Sequence, residues 1–233
     1  MASLLLEVIV QTVADAAAAA LGGADRLEIV RDIRQGGLTP SLALVRAIAA
    51  ATRLPLRVMV RDNDGYRLGA DELPGLRRAA AQFAEAGVDG LVIGFATGGR
   101  PDPDAVSRVL AAAPGVRATF HRAFDVLDDP AAAIPDIARI SGVDRILTGG
   151  GEGPADVRCR RLAEYSRLAA APGLRIIAGG GVDEAALALF AREGCVGEVH
   201  VGRAARDDGE PDSPVSAARV RRLKSLLRVP PLT

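Results

Sequence analysis

The chain has 233 residues, and its formal charge is zero because 29 basic residues balance 29 acidic ones. A neutral chain has no global field that attracts a polyanion, so nucleic acid is not an expected partner. The sequence has no apolar segment of ~18 residues and no basic stretch before its first apolar run, so we expect a cytoplasmic protein with no membrane partner.

Two scarce residue types narrow the chemistry further. Lys224 is the only lysine, and it lies near the end of the chain on the predicted last helix, which excludes a Schiff base formed by a buried lysine. Cys159 and Cys195 are far apart in the sequence and form no C-x-x-C motif. This spacing argues against a disulfide scaffold and against a thiol-rich metal site.

Short β-rich runs alternate with Ala/Leu/Arg-rich stretches of helical length along the whole chain. The predicted strands are Leu4 to Val10, Arg26 to Val30, Leu56 to Arg61, Gly90 to Gly94, Arg117 to His121, Arg145 to Thr148, Arg175 to Ala178 and Glu198 to Val201. The clearest predicted helices are Thr12 to Leu21, Asp71 to Ala86, Pro130 to Ile140 and Asp183 to Arg192. Strict alternation of strand and helix predicts parallel pairing.

Eight strand and helix modules predict an α/β fold, the (βα)8 TIM barrel, with a parallel eight-stranded barrel inside and helices outside. We expect a single TIM-barrel domain over residues 1–233, with a C-terminal loop and the last helix in 204–233. The hydrophobic share of 49% suits a sheet that is covered on both faces. An open, doubly wound sheet would show the same alternation and is the alternative.

Proline and glycine mark the predicted helix boundaries. Prolines near the predicted first turns are Pro40, Pro103 and Pro130, and glycines after the predicted last turns are Gly22, Gly87, Gly142 and Gly194. A repeat, G-A-D-R-L-E-I, G-V-D-G-L-V-I, G-V-D-R-I-L-T and C-V-G-E-V-H-V, introduces every second strand. A helix end followed by a strand start explains its aspartates better than a ligand role does.

Ionisable residues interrupt the apolar runs of five different strands. These residues are Glu7, Glu28, Arg61, His121 and His200. In a closed barrel, inward residues near the carboxyl ends of the strands surround the site, so we predict that these five are catalytic. A buried charge is costly alone, so they should pair with each other or with a ligand; an internal network that only fixes packing is the alternative. The two histidines suit general acid or base chemistry.

The run T-F-H-R-A-F-D adds two candidates beside His121. Arg122 can clamp a carboxylate or phosphate with two hydrogen bonds, and Asp125 can orient an imidazole or accept a substrate hydroxyl. Alternatively, Asp125 only caps a turn.

Glycine-rich loops follow the sixth, seventh and eighth predicted strands, and glycine lets backbone N–H groups approach an anion closely. The predicted anion-binding residues are Gly149, Gly150, Gly179, Gly180, Gly181, Gly202 and Arg203. A tight turn that requires positive φ is the alternative explanation. The loop Gln35 to Ser41 combines a possible ligand contact with the start of the next helix.

Several of these runs occur together in the order L-E-V, G-G-A-D-R-L-E, G-G-L-T-P-S, V-M-V-R, T-F-H-R-A-F-D, R-I-L-T-x-G-G, G-G-G-V and E-V-H. In that order, over about residues 4–203, the chain resembles the CutC family of copper-homeostasis proteins. The resemblance implies a TIM barrel, a cytoplasmic location, a homo-oligomer (dimer or higher) and a role in copper binding or tolerance.

The chain departs from the pattern of that family at two places. Family members commonly carry the cysteines associated with copper at the positions occupied here by Ile9 and Val30. Cu(I) favours thiolate ligands, whereas the predicted mouth offers imidazole, carboxylate and guanidinium. After Arg61, the sequence D-N-D-G-Y replaces the second arginine and the proline of the family, so this loop is expected to recognise a different ligand.

Two functions follow from the sequence. One is the family function, a copper-homeostasis protein that binds copper at the barrel mouth. The other is an isomerase, epimerase or lyase that acts on a small anionic or sugar-phosphate-like substrate. The arginines and glycine loops would position this substrate, Glu7 or Glu28 would exchange protons with it, and His121 or His200 would assist. A His/Glu site for a divalent metal is a variant that no H-x-x-H spacing supports. A pure interaction scaffold does not account for polar residues inside strands.

Overall fold

Eight parallel strands close into a barrel in the computed structural model, which describes residues 4–227. Each strand pairs with its neighbours in chain order, and the last strand pairs with the first. The strands are β1 Leu5–Val10, β2 Arg26–Ile29, β3 Leu56–Met59, β4 Gly90–Ile93, β5 Arg117–Phe120, β6 Val143–Thr148, β7 Arg175–Ala178 and β8 Glu198–Val201. Closure confirms the predicted TIM barrel and excludes the open sheet.

A helix follows each strand on the outside of the barrel. The helices are α1 Val13–Gly22, α2 Leu42–Ala51, α3 Leu73–Glu85, α4 Pro103–Leu110, α5 Pro130–Ala138, α6 Ala155–Ala170, α7 Glu184–Glu193 and α8 Ala217–Leu226. Short 3-10 turns follow β2, β5 and β8, and a two-stranded ribbon follows β4. Within residues 4–227, no helix has the length and apolar character needed to cross a bilayer.

The predicted C-terminal segment, residues 204–233, contains α8. The last part of that segment, residues 228–233, lies outside the described residues, as do residues 1–3.

The two faces of each strand have different surroundings. Leu6, Val8 and Val10 of β1 belong to the large apolar core between the barrel and its helices. The intervening residue Ile9 packs instead on a small cluster that includes Val30 and Met59. This period of two places alternate residues inside the barrel, as strand geometry requires.

The amino end of the barrel is closed by ion pairs. Arg57 of β3 is fully buried and donates hydrogen bonds to Asp89 (2.9 Å) and to Asp144 (3.0 Å). These two aspartates belong to the sequence repeat that introduces β4 and β6. They therefore neutralise a buried guanidinium at the end opposite the carboxyl ends of the strands, which agrees with a structural role for the repeat.

Most predicted helix boundaries are confirmed, but the prediction that Gly22 follows the last turn of its helix is wrong. The Ser41 hydroxyl accepts a hydrogen bond from the N–H of Leu44 at the start of α2, as expected for a helix cap. Gly22 is the last residue of α1, and Gly23, with φ of 91°, takes the left-handed cap instead. A Cβ on Gly22 would lie 2.5 Å from Cβ of Val220, so glycine is needed there because α1 packs closely against α8.

Candidate functional site

A cavity of about 360 Å³ opens at the carboxyl ends of the strands. This volume lies within the range of small-molecule sites. Of the predicted site residues, those that line the cavity are Glu28, Arg61, His121, Arg122, His200, Gly180, Gly181, Gly202 and Arg203. The structure places five others behind this lining: Glu7, Asp125, Gly149, Gly150 and Gly179.

Glu7 lies deeper in the barrel and is committed to an ion pair. One oxygen of its carboxylate, Oε2, accepts a hydrogen bond from Arg26 of β2. The other oxygen, Oε1, lies 2.8 Å from Nδ1 of His200. Burial by itself would raise the pKa of Glu7, but Arg26 and His200 together outweigh burial and hold this pKa well below its usual value. Glu7 is therefore stabilised as an anion, and it anchors His200.

Glu28 has a different environment, although it lies on the strand next to Glu7. Its side chain is buried, and Oε2 has no hydrogen-bond partner within the described part of the chain. Burial is the main effect, and together with the nearby Glu7 carboxylate it raises the pKa of Glu28 to about 7. A carboxyl with this pKa can both take up and release a proton near neutral pH.

His200 connects the two carboxyl groups. Its Nδ1 lies 2.8 Å from Glu7 and 3.5 Å from Oε2 of Glu28. Burial would lower the pKa of His200, but Glu28 and Glu7 outweigh burial and raise it above 6.5. The two glutamates thus shift His200 toward its imidazolium form.

His121 is held in the opposite charge state. Burial lowers its pKa to about 3, and the positive charges of Arg61 and Arg122 act in the same direction. Nδ1 accepts a hydrogen bond from the N–H of Ala123 at 3.2 Å, so the single proton of the neutral ring is assigned to Nε2. Nε2 is buried and has no partner among the described residues. His121 can therefore donate one hydrogen bond to a ligand.

Arg61 brings a buried positive charge to the same cavity. Its guanidinium donates to the carbonyl oxygens of Gly65 (3.3 Å), Asp64 (2.7 Å) and Gly37 (3.4 Å). It also lies 5.1 Å from the ring centre of Tyr66. Within residues 4–227, no carboxylate pairs with Arg61, although its residue exposure is only 6%. A buried cation without a counter-charge favours an anionic ligand.

Arg122 and Asp125 form an ion pair of 2.7 Å at the edge of the cavity. Asp125 also accepts hydrogen bonds from the hydroxyl of Thr148 and from the N–H of Gly149. The hydrogen bonds of Asp125 therefore fasten the loop after β6 to the loop after β5. The ring of His121 is oriented by Ala123 instead.

The predicted glycine loops divide into two kinds. The N–H groups of Gly149 and Gly150 are already bonded to Asp125 and Thr148, and that of Gly179 continues the sheet. Gly180 and Gly181 line the cavity with φ of 71° and 70°, and within the described residues their N–H groups have no acceptor. Their positive φ agrees with the turn explanation, which is compatible with anion binding.

After β8, the two predicted residues differ in character. A Cβ on Gly202 would lie 3.0 Å from Cδ1 of Ile9, so glycine leaves room for the aliphatic wall of the cavity. Arg203 is exposed at the rim, and its side chain has no ion-pair partner in the described residues.

Several site residues escaped the sequence analysis. Arg26 and Glu198 are buried and bonded to each other at 2.7 Å beneath Glu7. Both are the first residues of their strands, where a charge next to a turn is usually solvent-exposed. Counting two residues back from Glu28 and His200 would have found them. Tyr66, which packs edge-on to His121 with ring centres 5.4 Å apart, lies in an irregular loop and gave no signal.

Comparison with known proteins identifies the family. A model of the CutC family matches residues 4–205. This chain belongs to the CutC family. A human relative, the copper homeostasis protein cutC homolog, is 33% identical over 210 residues, covering 88% of this chain and 76% of the relative. A CutC family protein of Enterobacter sp. (strain 638) is 33% identical over 198 residues, covering 84% and 78%.

Solved structures agree on the fold. The structure of the Streptococcus agalactiae protein CutC matches with a TM-score of 0.78 at 24% identity, covering 85% of this chain and 98% of that one. Phosphoribosyl anthranilate isomerase from Thermococcus kodakaraensis matches with a TM-score of 0.65 at 18% identity, covering 97% and 99%. Both support the barrel fold of this CutC-family chain.

The lining of the cavity does not fit Cu(I). Ile9 lines the cavity, and Val30 packs beside Met59, so the two positions where the family resemblance leads to an expectation of cysteine are aliphatic here. The thioether of Met59 is the one soft donor among the lining residues that the structure describes. The cysteines of this chain are buried free thiols elsewhere: Cys159 lies on α6, and Cys195 follows α7 and contacts Cys159.

Proposed function

We propose that the protein is an enzyme that moves a proton on a carbon next to a carbonyl group in a small anionic substrate, as isomerases and epimerases do. One observation carries the proposal. Two buried side-chain atoms of the cavity lining lack a hydrogen-bond partner in the described chain, and they have opposite character: Oε2 of Glu28 accepts, and Nε2 of His121 donates. Unpaired buried polar groups are costly unless a ligand pairs with them.

These two groups supply the parts that enolisation requires. The Glu28 carboxylate takes the proton from carbon, the electron pair of the broken C–H bond forms the C=C bond of an enolate, and the π electrons of the carbonyl group move onto its oxygen. The carbonyl oxygen, which gains negative charge, accepts the hydrogen bond of the neutral His121 ring. Glu28 then returns the proton to carbon, and His200, held by Glu7, balances the changing charge of Glu28.

Proton exchange with solvent tests this function directly. The protein is incubated in D2O with phosphorylated and carboxylated aldoses and ketoses of three to six carbons, and deuterium on carbon is measured by NMR. We expect exchange for at least one compound. Glu28→Gln should slow it by about 100-fold or more, because general base catalysis contributes on the order of 10²–10⁴. Glu164→Gln, an exposed change on α6, is the matched control. Equal exchange by Glu28→Gln and the control would contradict the proposal.

Copper handling is the second candidate, because the human relative is named for copper homeostasis. The observation that favours it is a buried cluster of Glu7, Glu28 and His200, whose donor atoms all lie within 4.8 Å of one another. Carboxylate and imidazole suit Cu(II) better than Cu(I). Against this candidate, Arg26 already shares the Glu7 carboxylate.

Competition with a chelator decides whether the cluster holds copper. If it does, the protein retains one equivalent of Cu(II) but no Cu(I), and His200→Gln releases the Cu(II). A wild-type protein that loses all Cu(II) to the chelator would remove this candidate.

A further inference from the structure

Arg158 of α6 connects two of the glycine loops from behind the cavity. Its Nε donates to the carbonyl oxygen of Gly149 at 2.7 Å, and its Nη2 donates to those of Gly179 and Gly180 at 3.0 Å each. The guanidinium also lies 5.8 Å from the ring centre of Phe190. Within residues 4–227, no carboxylate forms an ion pair with Arg158, so its hydrogen bonds go to the loop backbone.

These bonds fix the direction in which the neighbouring amides point. In a trans peptide unit, the C=O and the following N–H point in opposite directions. The structure has no cis peptide bond among its described residues. Because the carbonyls of Gly179 and Gly180 both face Arg158, the N–H groups of Gly180 and Gly181 face away from it. Both glycines line the cavity, so the two free amides face the side where a ligand binds.

A positive side chain stands beside these amides. A Cβ on Gly180 would lie 3.0 Å from Cζ of Arg122, so glycine at this position admits the guanidinium next to the backbone. Successive free amides in a turn can both donate to one anion, and a neighbouring arginine strengthens such a site. The unpaired Nε2 of His121 in the same cavity points independently to a bound ligand.

We propose that the amides of Gly180 and Gly181, together with Arg122, form an oxyanion subsite, and that Arg158 is the positioning residue that turns these amides into the cavity. The subsite takes the phosphate or carboxylate end of the substrate, while the other end lies between Glu28 and His121. The assignment of this end to a substrate rests on the proposed function, whereas the subsite itself can be tested without catalysis.

Inorganic phosphate, with acetate as a second arm, probes the subsite by ¹H–¹⁵N NMR titration. We expect the amide signals of Gly180 and Gly181 to shift in a saturable manner, and those of Gly149 and Gly150 to stay in place, because Asp125 and Thr148 already bind them. A stronger response to phosphate than to acetate assigns a phosphate substrate, and the reverse assigns a carboxylate. No saturable shift at Gly180 and Gly181 with either anion would overturn the subsite.

Variants on one face of α6 test the positioning role. Arg158→Met should weaken anion binding by about tenfold or more, and Arg158→Lys should restore part of it, because lysine reaches fewer carbonyls at once. Arg161→Met is the matched control, since Arg161 binds the carbonyls of Gly150 and Glu152, away from the cavity. Equal anion affinities of Arg158→Met and Arg161→Met would overturn the role of Arg158. If Arg158→Met does not fold, the affinity of Arg158→Lys and the shifts of the wild-type Gly180 and Gly181 amide signals provide the test. Anion binding without deuterium exchange would instead contradict the proposed function alone.

Discussion

At the scale of single residues, the site depends on the different fates of two glutamates and two histidines. Arg26 and His200 hold the pKa of Glu7 well below its usual value, whereas burial outweighs the nearby His200 and raises the pKa of Glu28 to about 7. His200 lies between carboxylates that raise its pKa, whereas burial, with Arg61 and Arg122 nearby, lowers the pKa of His121 to about 3. Environments that push the pKa values of similar groups apart create separate acid and base roles.

The raised pKa of Glu28 predicts a pH-dependent stability. In the folded protein the pKa of Glu28 is about 7, above the ordinary glutamate value of 4.5. Folding therefore favours the protonated form of Glu28. The stability that the raised pKa of Glu28 contributes is fully present below pH 4.5 and is lost as pH rises to about 7. A pKa shift of this size corresponds to about 3 kcal/mol in the free energy of unfolding. His200, whose folded pKa is also raised, acts in the same direction above pH 6.5. The lowered pKa of Glu7 matters only below pH 4.5.

Urea unfolding between pH 5 and pH 8 measures this dependence. We expect the wild-type free energy of unfolding to fall as pH rises, and Glu28→Gln to be similar to wild type at pH 5 but more stable at pH 8. Glu164→Gln should follow the wild-type curve. Parallel curves for wild type and Glu28→Gln would contradict the raised pKa of Glu28.

At the scale of helices and strands, local sequence patterns predicted most elements correctly. They did not predict features that depend on packing between elements. All eight strands were found because buried parallel strands form apolar runs of the right length. The cap after α1 was assigned to Gly22 rather than Gly23, since two consecutive glycines both permit a helix end. Only the packing of α1 against Val220 of α8 explains why position 22 also needs glycine.

In the loops after the strands, too, the sequence predicted a general feature, and contacts with other elements decided the details. The sequence predicted that glycines after β6 and β7 bind an anion through their backbone. The structure distinguishes them, because Asp125 and Thr148 occupy the amides after β6, while Arg158 leaves those of Gly180 and Gly181 free. Arg158 lies within a helix whose sequence shows only ordinary amphipathic spacing, so its contact with the loops could not be foreseen.

At the scale of the whole molecule, ion pairs in the interior stabilise the barrel together with apolar packing. Glu198 of β8 accepts hydrogen bonds from Arg26 of β2 at 2.7 Å and from Arg145 of β6 at 2.9 Å. All three residues are buried. These bonds cross the barrel interior between strands that are not neighbours in the sheet, so the network joins the first and last parts of the chain.

Replacing the central anion should therefore destabilise the entire barrel. Glu198→Gln leaves the buried Arg26 and Arg145 with less counter-charge, and breaking a buried ion pair from one side costs about 3–5 kcal/mol. Urea unfolding measures the loss. Asp136→Asn, which removes an exposed pair with Arg139, should cost less than about 1 kcal/mol. A Glu198→Gln protein as stable as Asp136→Asn would show that the network contributes no stability.

The sequence by itself determined the order of strands and helices, their parallel pairing and the family, because these follow from local hydrophobic periodicity and from motifs read along the chain. Closure of the barrel was predicted from the eight modules, and the structure excluded the open sheet. The sequence also placed Glu28, Arg61, His121 and His200 at the carboxyl ends of strands. The tertiary structure alone decided in which direction the pKa values of Glu28, His121 and His200 shift, which atoms lack partners and which glycine amides are free. Those properties depend on distances between side chains from different strands, and barrel closure sets these distances.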